Sequence, residues 1–189
     1  MLLALECGDR PEAWAALGFE VVEGTVAIGP ILVHCDGRGG GLRGWTLAGD
    51  GPPDLDGIPT HWSPFTQGSV PFSQRGLDHV VVFTDDRDRT AGAFVAAGGD
   101  ERRRAEPPGV PVPMCFVRFG EAIVEVAQAG GPTRLWGLTA VVDDLAEVPA
   151  ELVGEPRDAV QPGRRIVTVR PEAGLETAVA FMTPRVRTR

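Results

Sequence analysis

The chain has 189 residues, of which 43% are hydrophobic and 23% charged, enough for one large domain or two small ones with a buried core. Its formal net charge of −8 argues against nucleic acid as a partner, because phosphate binding needs a basic face. No apolar run reaches the ~20 residues that span a bilayer, and "MLLALECGD" meets a carboxylate too early for a signal peptide, so a cytoplasmic protein with no membrane partner is expected.

In chain order, one plan recurs. Leu2 to Cys7 reads as an apolar strand ending at Asp9, a good helix N-cap; Pro11 follows where its missing N–H costs nothing, and Gly18 stops the helix. The strand-like runs "FEVVEG", "VAIGPILVHC" and "LRGWTLAG" complete this unit. Residues 49–76 are rich in Pro, Gly and Asp without a period and read as a long covering loop. Its aromatic residues Trp62 and Phe65 imply that it packs on something, as a cover over a core edge or as a lid over a pocket.

The second unit opens with "GLDHVVVF", an apolar strand entered through His79, one of only three histidines. It ends at Asp85 and Asp86, and "DRTAGAFVAA" forms a helix closed by Gly98 and Gly99. The runs "DERRRAE", "PMCFVRFG" and "AIVEVAQ" follow. In the third unit the strand Leu138 to Val142 leads to Asp143 and Asp144, a short helix bent or shortened by Pro149, and the runs "DAVQPG", "RRIVTVRP" and "TAVAFMT". A βαβββ plan repeated near 2–48, 77–128 and 135–183 predicts an α+β fold of three modules rather than a doubly wound sheet. The domain reading is a degenerate module at 1–48, the loop 49–76, and a module pair at 77–183.

Strand alternation puts His79, Val81 and Phe83 on one face and Ile123, Glu125 and Ala127 on one face. A carboxylate flanked by Val124 and Val126 is costly without a partner, and His79 on a neighbouring strand is the obvious one. All 18 basic residues are arginine, so every anion contact must be made by a guanidinium. Arg164 and Gln161 flank a Pro162–Gly163 turn, where an arginine can hold a carboxylate or phosphate, or sit in water. Trp136 beside Gly137 leaves room for a flat ligand, with core packing as the alternative. Arg118 faces opposite to Val117 and Phe119, into a pocket or outward, and Arg102 to Arg104 read as a solvated strand edge. Cys7, Cys35 and Cys115 are too dispersed for a metal or redox motif and read as buried reduced thiols.

The stretch "GLDHVVVFTDD…AFVAAGG…MCFVRFGEAIVEVAQ" resembles one half of the vicinal oxygen chelate superfamily, which includes glyoxalase I, bleomycin-resistance proteins and extradiol dioxygenases; "LWGLTAVVDDL…AVAFM" resembles the second half of glyoxalase-like proteins. The resemblance implies paired βαβββ modules curved into a cup, with metal ligands on the first and last strand of each module. His79 and Glu125 fall at those positions, with Glu125 also as the catalytic carboxylate, whereas Gly137 and Ala180 or Phe181 fall there in the other half. Two functions follow from it. One is a lyase or isomerase acting on a small oxygenated substrate through one divalent Zn, Ni, Mn or Fe ion, with a third ligand from His61 if the loop folds over or from a second subunit. The other is a metal-free, drug-sequestering binding protein with no cofactor. In either case Trp62, Phe65, Arg118, Trp136, Gln161 and Arg164 are the expected ligand contacts. Three modules leave one unpaired, and that apolar surface predicts a homodimer.

Overall fold

Backbone hydrogen bonding divides the chain into two mixed sheets built on one plan. The structure is a computed structural model that describes residues 1–64, 75–106 and 112–185. Strand β1 (Leu2–Cys7) leads into helix α1 (Pro11–Ala16), β2 (Val21–Val22), β3 (Thr25–Ile28) and β4 (Ile31–Cys35). A shorter unit follows: β5 (Leu42–Ala48), β6 (Asp54–Leu55) and β7 (Ile58–Ser63). Among the described residues these form one sheet in the order β2-β3-β4-β1-β5-β7-β6. The next unit is β8 (Gly76–Phe83), α2 (Arg87–Ala96), β9 (Asp100–Ala105), β10 (Met114–Phe119) and β11 (Ala122–Ala127). The last is β12 (Arg134–Val141), β13 (Arg157–Asp158), β14 (Arg165–Thr168) and β15 (Ala178–Met182). They form the second sheet, β13-β14-β15-β12-β8-β11-β10-β9. In each sheet the first strands of the two units pair antiparallel, and each unit's last strand runs parallel beside its first. This is the glyoxalase-like α+β fold of repeated modules forming curved mixed sheets.

The repeat is finer than three modules. Gly29 adopts φ 56° and Pro30 has no N–H to offer, so "VAIGPILVHC" folds back on itself as β3 and β4. β4 therefore completes the first unit, and β5 opens another. The rest of that unit comes from the segment expected to be an unstructured loop. Ile58–Ser63 runs parallel to β5, and Asp54–Leu55 pairs onto it through an Asp56–Gly57 turn with φ 52° and 92°, the positive angles of a type I′ hairpin. The first module is thus paired within the chain, which removes the premise for expecting a homodimer.

Two local expectations also change. Among the described residues no α-helix follows β12. Two 3₁₀ turns, Leu145–Glu147 and Ala150–Leu152, stand instead, separated by Pro149. Asp9 does not cap α1; Arg10 holds that position without a side-chain cap bond. The Asp9 carboxylate, 3% exposed, instead accepts from the backbone N–H groups of Glu176 (2.7 Å) and Thr177 (3.2 Å), ahead of β15. Asp86 caps α2, accepting from the N–H groups of Asp88 and Arg89.

The core lies between the sheets. α2 packs on β10 and β11 on one side and on β6 on the other. Trp45 of β5 meets Phe94 of α2 at 5.1 Å and Phe119 of β10 at 5.8 Å, and Phe19 stacks on Phe181 at 5.5 Å. Val80, Val82, Val117, Val124 and Val126 on the inward face of the second sheet are fully buried. At roughly 1.5–3 kcal/mol for each such side chain, they decide which face of these strands turns inward. The outward face is left for the other residues of the same strands. Asp56 fastens the sheets together, accepting from Arg89 and Thr90 of α2 and from Thr133 before β12. Cys7, Cys35 and Cys115 are free and buried, and burial pushes the Cys115 thiol up to about 11. No helix among the described residues is long and apolar enough to cross a membrane.

Candidate functional site

On the outward face of the second sheet, His79 of β8 stands opposite Thr139 of β12, and Glu125 of β11 stands opposite Val81. His79 Nδ1 lies 2.8 Å from Asp78 Oδ2. An ionised carboxylate only accepts, so Nδ1 carries the proton and Nε2 faces Thr139 Oγ1 at 3.2 Å and Glu125 Oε2 at 4.0 Å. Asp78 is held from behind by Arg164, whose Nη1 donates to Oδ1 at 2.6 Å and whose Nε donates to the Thr183 carbonyl at 2.7 Å. Only 2% of Arg164 is exposed.

These contacts drive two carboxyl groups apart. Burial acts to raise the Asp78 carboxyl, but the hydrogen bonds and charges of His79 and Arg164 outweigh it and hold the group at about 2. Glu125 has no such donors. Burial pushes its carboxyl up, with the nearby His79 charge opposing. Neighbouring acids with opposed shifts are a common property of sites that move protons or hold ligands.

A recurring backbone device builds this face. At a β-bulge one residue stands out of register, and the side chains on either side of it switch faces. Leu77 pairs with Ala140 and His79 with Thr139, leaving Asp78 unpaired, so Asp78 and His79 both reach the outward side. Glu101 pairs with Val117 and Arg103 with Phe116, leaving Arg102 unpaired, and both Arg102 and Arg103 line the same cavity. Leu135 pairs with Val82 and Gly137 with Val81, leaving Trp136 unpaired, and Trp136 stacks on Phe83 with ring centroids 4.4 Å apart. The cavity at His79 has a volume of about 480 Å³. Its walls are Asp78, Phe116 and Ile123 on the sheet, Arg102 and Arg103 on one side, and Gln161, Pro162, Arg164 and Arg185 on the other.

The expected site residues divide. Gln161 and Arg164 line the cavity with His79, and Glu125, not itself among the lining residues, lies 4.0 Å from His79 Nε2 with 19% of its side chain exposed. Arg118 shares the outward face with Phe116 but is not among the residues lining the cavity; its Nη2 lies 3.6 Å from the Asp100 carboxylate. Trp136, 43% exposed, stays with Phe83 outside the cavity lining. Trp62 belongs to β7 of the other sheet, where Nε1 donates to the Pro52 carbonyl at 2.7 Å and the ring packs over Gly51, so it forms no lid over this cavity. Phe65 lies outside the described residues. Asp78, Thr139, Arg102 and Arg103 were not singled out as site residues by the sequence reading.

A divalent metal does not fit this donor set. His79 Nε2 and Glu125 supply two strong ligands, whereas protein sites supply three or more. Thr139 offers a neutral hydroxyl, and Asp78 is occupied by His79 and Arg164. Gly137 and Ala180 hold the matching positions on β12 and β15, and His61 lies on β7 of the first sheet. Among the described residues no group of three His, Cys, Asp or Glu side chains converges to hold a metal. A larger cavity of about 730 Å³ opens at the two 3₁₀ turns, over Leu145, Val148, Val153 and Val167. No buried charged network like that of Asp78, His79 and Arg164 borders it, and the smaller cavity is the better candidate.

No family model matches the sequence, and no curated protein matches it. Among solved structures the chain is similar to a hypothetical protein from Bacillus halodurans C-125, at 14% identity and TM-score 0.49, covering 61% of this chain and 98% of that one. It is similar to methylmalonyl-CoA epimerase from Mycobacterium tuberculosis, at 15% identity and TM-score 0.48, covering 58% of this chain and 88% of that one. It is also similar to a Streptomyces coelicolor methylmalonyl-CoA epimerase in complex with 2-nitronate-propionyl-CoA, at 15% identity and TM-score 0.48, covering 58% of this chain and 97% of that one. No residue role follows from likenesses this distant.

Proposed function

We propose that this chain is a small-molecule binding protein whose ligand occupies the cavity on the second sheet and touches His79 and Glu125 without a bound metal. One observation carries the reading: a half-open cavity of about 480 Å³ is bordered by a buried, hydrogen-bonded Arg164–Asp78–His79 chain, and among the described residues the donors are too few for a divalent ion. Asp78 and Arg164 fix the His79 ring, so that Nε2 and the Glu125 carboxyl are the groups offered to a ligand. This is the drug-sequestering alternative among the functions that the resemblance implies. Three free, buried cysteines favour a reducing compartment, and on that basis we place the protein in the cytoplasm. A homodimer is not part of the proposal.

A second reading is favoured by the opposed shifts of Asp78 and Glu125. A carboxyl raised by burial beside an imidazole can pass a proton to or from a carbon next to a carbonyl, the step of an isomerase or lyase. The two readings separate in one experiment. Dialysed protein is analysed for metal and titrated calorimetrically with a library of small carbonyl compounds, in parallel with solvent-deuterium exchange into each compound that binds. Binding by metal-free protein, lost in His79→Ala, supports the first reading. Exchange that vanishes in Glu125→Gln adds the second. Stoichiometric metal that survives dialysis and is lost in His79→Ala would overturn the metal-free proposal.

A further inference from the structure

We propose that the ligand of this cavity is an anion, a carboxylate or a phosphate ester, and that Arg102 and Arg103 are its receptor. This rests on the reading that the cavity is a ligand site and goes further by naming the chemistry of the ligand. The β9 bulge is the first observation. In a regular strand Arg102 and Arg103 would point to opposite faces; with Arg102 out of register, both line the cavity.

The second observation is how the guanidinium groups are engaged. Arg104, next along the strand, is ion-paired with Glu101 and Asp88. Arg164 is buried and committed to Asp78 and the Thr183 carbonyl, so it positions Asp78 rather than meeting the ligand. Arg103 has no carboxylate within ion-pair distance among the described residues; its Cζ lies 4.5 Å from the centre of the Phe116 ring, which holds the guanidinium plane over the cavity wall. Among the described residues Arg102 holds only Asp100, at 2.8 Å and with both side chains about half exposed, a contact that water and salt weaken.

The third observation is charge. The cavity lining holds four arginines and one carboxylate, Asp78, in a chain whose net charge is −8. Counting Asp100 as the partner of Arg102, and Glu125 beside His79 as a further carboxylate, still leaves an excess of positive charge. In a chain this acidic, such a concentration of guanidinium on one concave wall selects a negatively charged partner. The planar, two-pronged donor geometry of Arg103 matches a carboxylate or phosphate.

The test is calorimetric titration of the full chain with inorganic phosphate and with succinate. Parallel titrations use the neutral fragments acetone and acetamide, with the His79 ring signals followed by NMR. The inference expects anion binding that weakens as salt is raised, falls about tenfold in Arg103→Gln, and disappears in the Arg102→Gln/Arg103→Gln double variant. Both side chains are on an edge strand, and a melting curve checks that the variants stay folded. Arg104→Gln should bind as the wild type does. The stronger of the two anions assigns the head group. If neutral fragments move the His79 signals and neither anion does, the cavity is a ligand site and the anion assignment is wrong. If neither class moves them, the underlying reading fails as well. Anion binding that is unchanged in the double variant also overturns the inference.

Discussion

In the first sheet a bulge on β1 leaves Leu3 unpaired, sets Ala4 opposite Thr46, and puts Glu6 between Gly44 and His34. In the second sheet a bulge on β8 leaves Asp78 unpaired, sets His79 opposite Thr139, and puts Val81 between Gly137 and Glu125. The neighbouring strands agree just as closely: Leu42-Arg43-Gly44-Trp45-Thr46 answers to Leu135-Trp136-Gly137-Leu138-Thr139, each with its central bulge. What the sheets share is backbone: the bulges, a glycine where a strand passes close, and a threonine opposite the bulged strand. Where they differ is in the side chains that the bulges deliver. Leu3 and Ala4 answer to Asp78 and His79, and the short Val21–Val22 strand stands where Arg102 and Arg103 do. The fold repeats its scaffold, and the buried Arg164–Asp78–His79 chain stands at the β8 bulge where the β1 bulge carries Leu3 and Ala4.

That comparison is sharpened most by Asp78→Ala against Leu3→Ala. Losing Asp78 strands the buried Arg164 guanidinium, and breaking such a pair costs about 3–5 kcal/mol. Leu3 is half-buried on the outward face, and its truncation should cost about 1 kcal/mol. Urea denaturation of both variants is the measurement, and equal losses would mean that the Asp78–Arg164 pair holds nothing.

The two glycines give the next largest effect. A Cβ at Gly137 would stand 2.1 Å from the Ala178 carbonyl oxygen, whereas one at Gly44 would stand 2.8 Å from the Pro59 oxygen. Gly137→Ala should cost about 3 kcal/mol and Gly44→Ala about 1 kcal/mol. Thermal melts should rank them in that order, and the reverse order would contradict the register set out for the two sheets.

The smallest effect is in pH dependence, where Asp78 and Glu125 of the second sheet give two opposed slopes. Asp78 is depressed from 3.8 to about 2, so its stabilisation is present above the unfolded value and is lost as pH falls through that window, roughly 2 kcal/mol in all. Glu125 is raised, so the folded state keeps its proton longer than the unfolded one, and stability falls as pH rises from the unfolded value through the folded one. Glu125→Gln should remove the second slope and leave the first. Denaturation midpoints measured from acid to neutral pH check this, and a slope that persists in Glu125→Gln would assign it to another group.

The meeting of His79 and Glu125 was legible because it needs only strand alternation and adjacent strands, and both hold over Val80–Phe83 and Ile123–Val126. Alternation fails at a bulge. By parity Asp78 points away from His79, and Arg102 away from Arg103; nothing in "GLDHV" or "DERRRA" marks the extra residue, which is set by pairing with strands remote in sequence. The turns at Gly29–Pro30 and Asp56–Gly57 had clear local signals, but the apolar run around the first and the loop-like composition around the second outweighed them. The missed unit, β5 to β7, was also written as a repeat, in the shared Leu-x-Gly-x-Thr of β5 and β12, which is visible once the register is known.

The histidines supply the most direct test that ligand chemistry belongs to the second sheet alone. His79 stands at the cavity, His34 bonds Thr25 on the outward face of the first sheet, and His61 lies exposed on β7. Ring resonances of dialysed, metal-free protein are followed by NMR while succinate or phosphate is added. The account predicts that His79 shifts and saturates while His34 and His61 stay in place. Saturable shifts at His34 with His79 unmoved would contradict it.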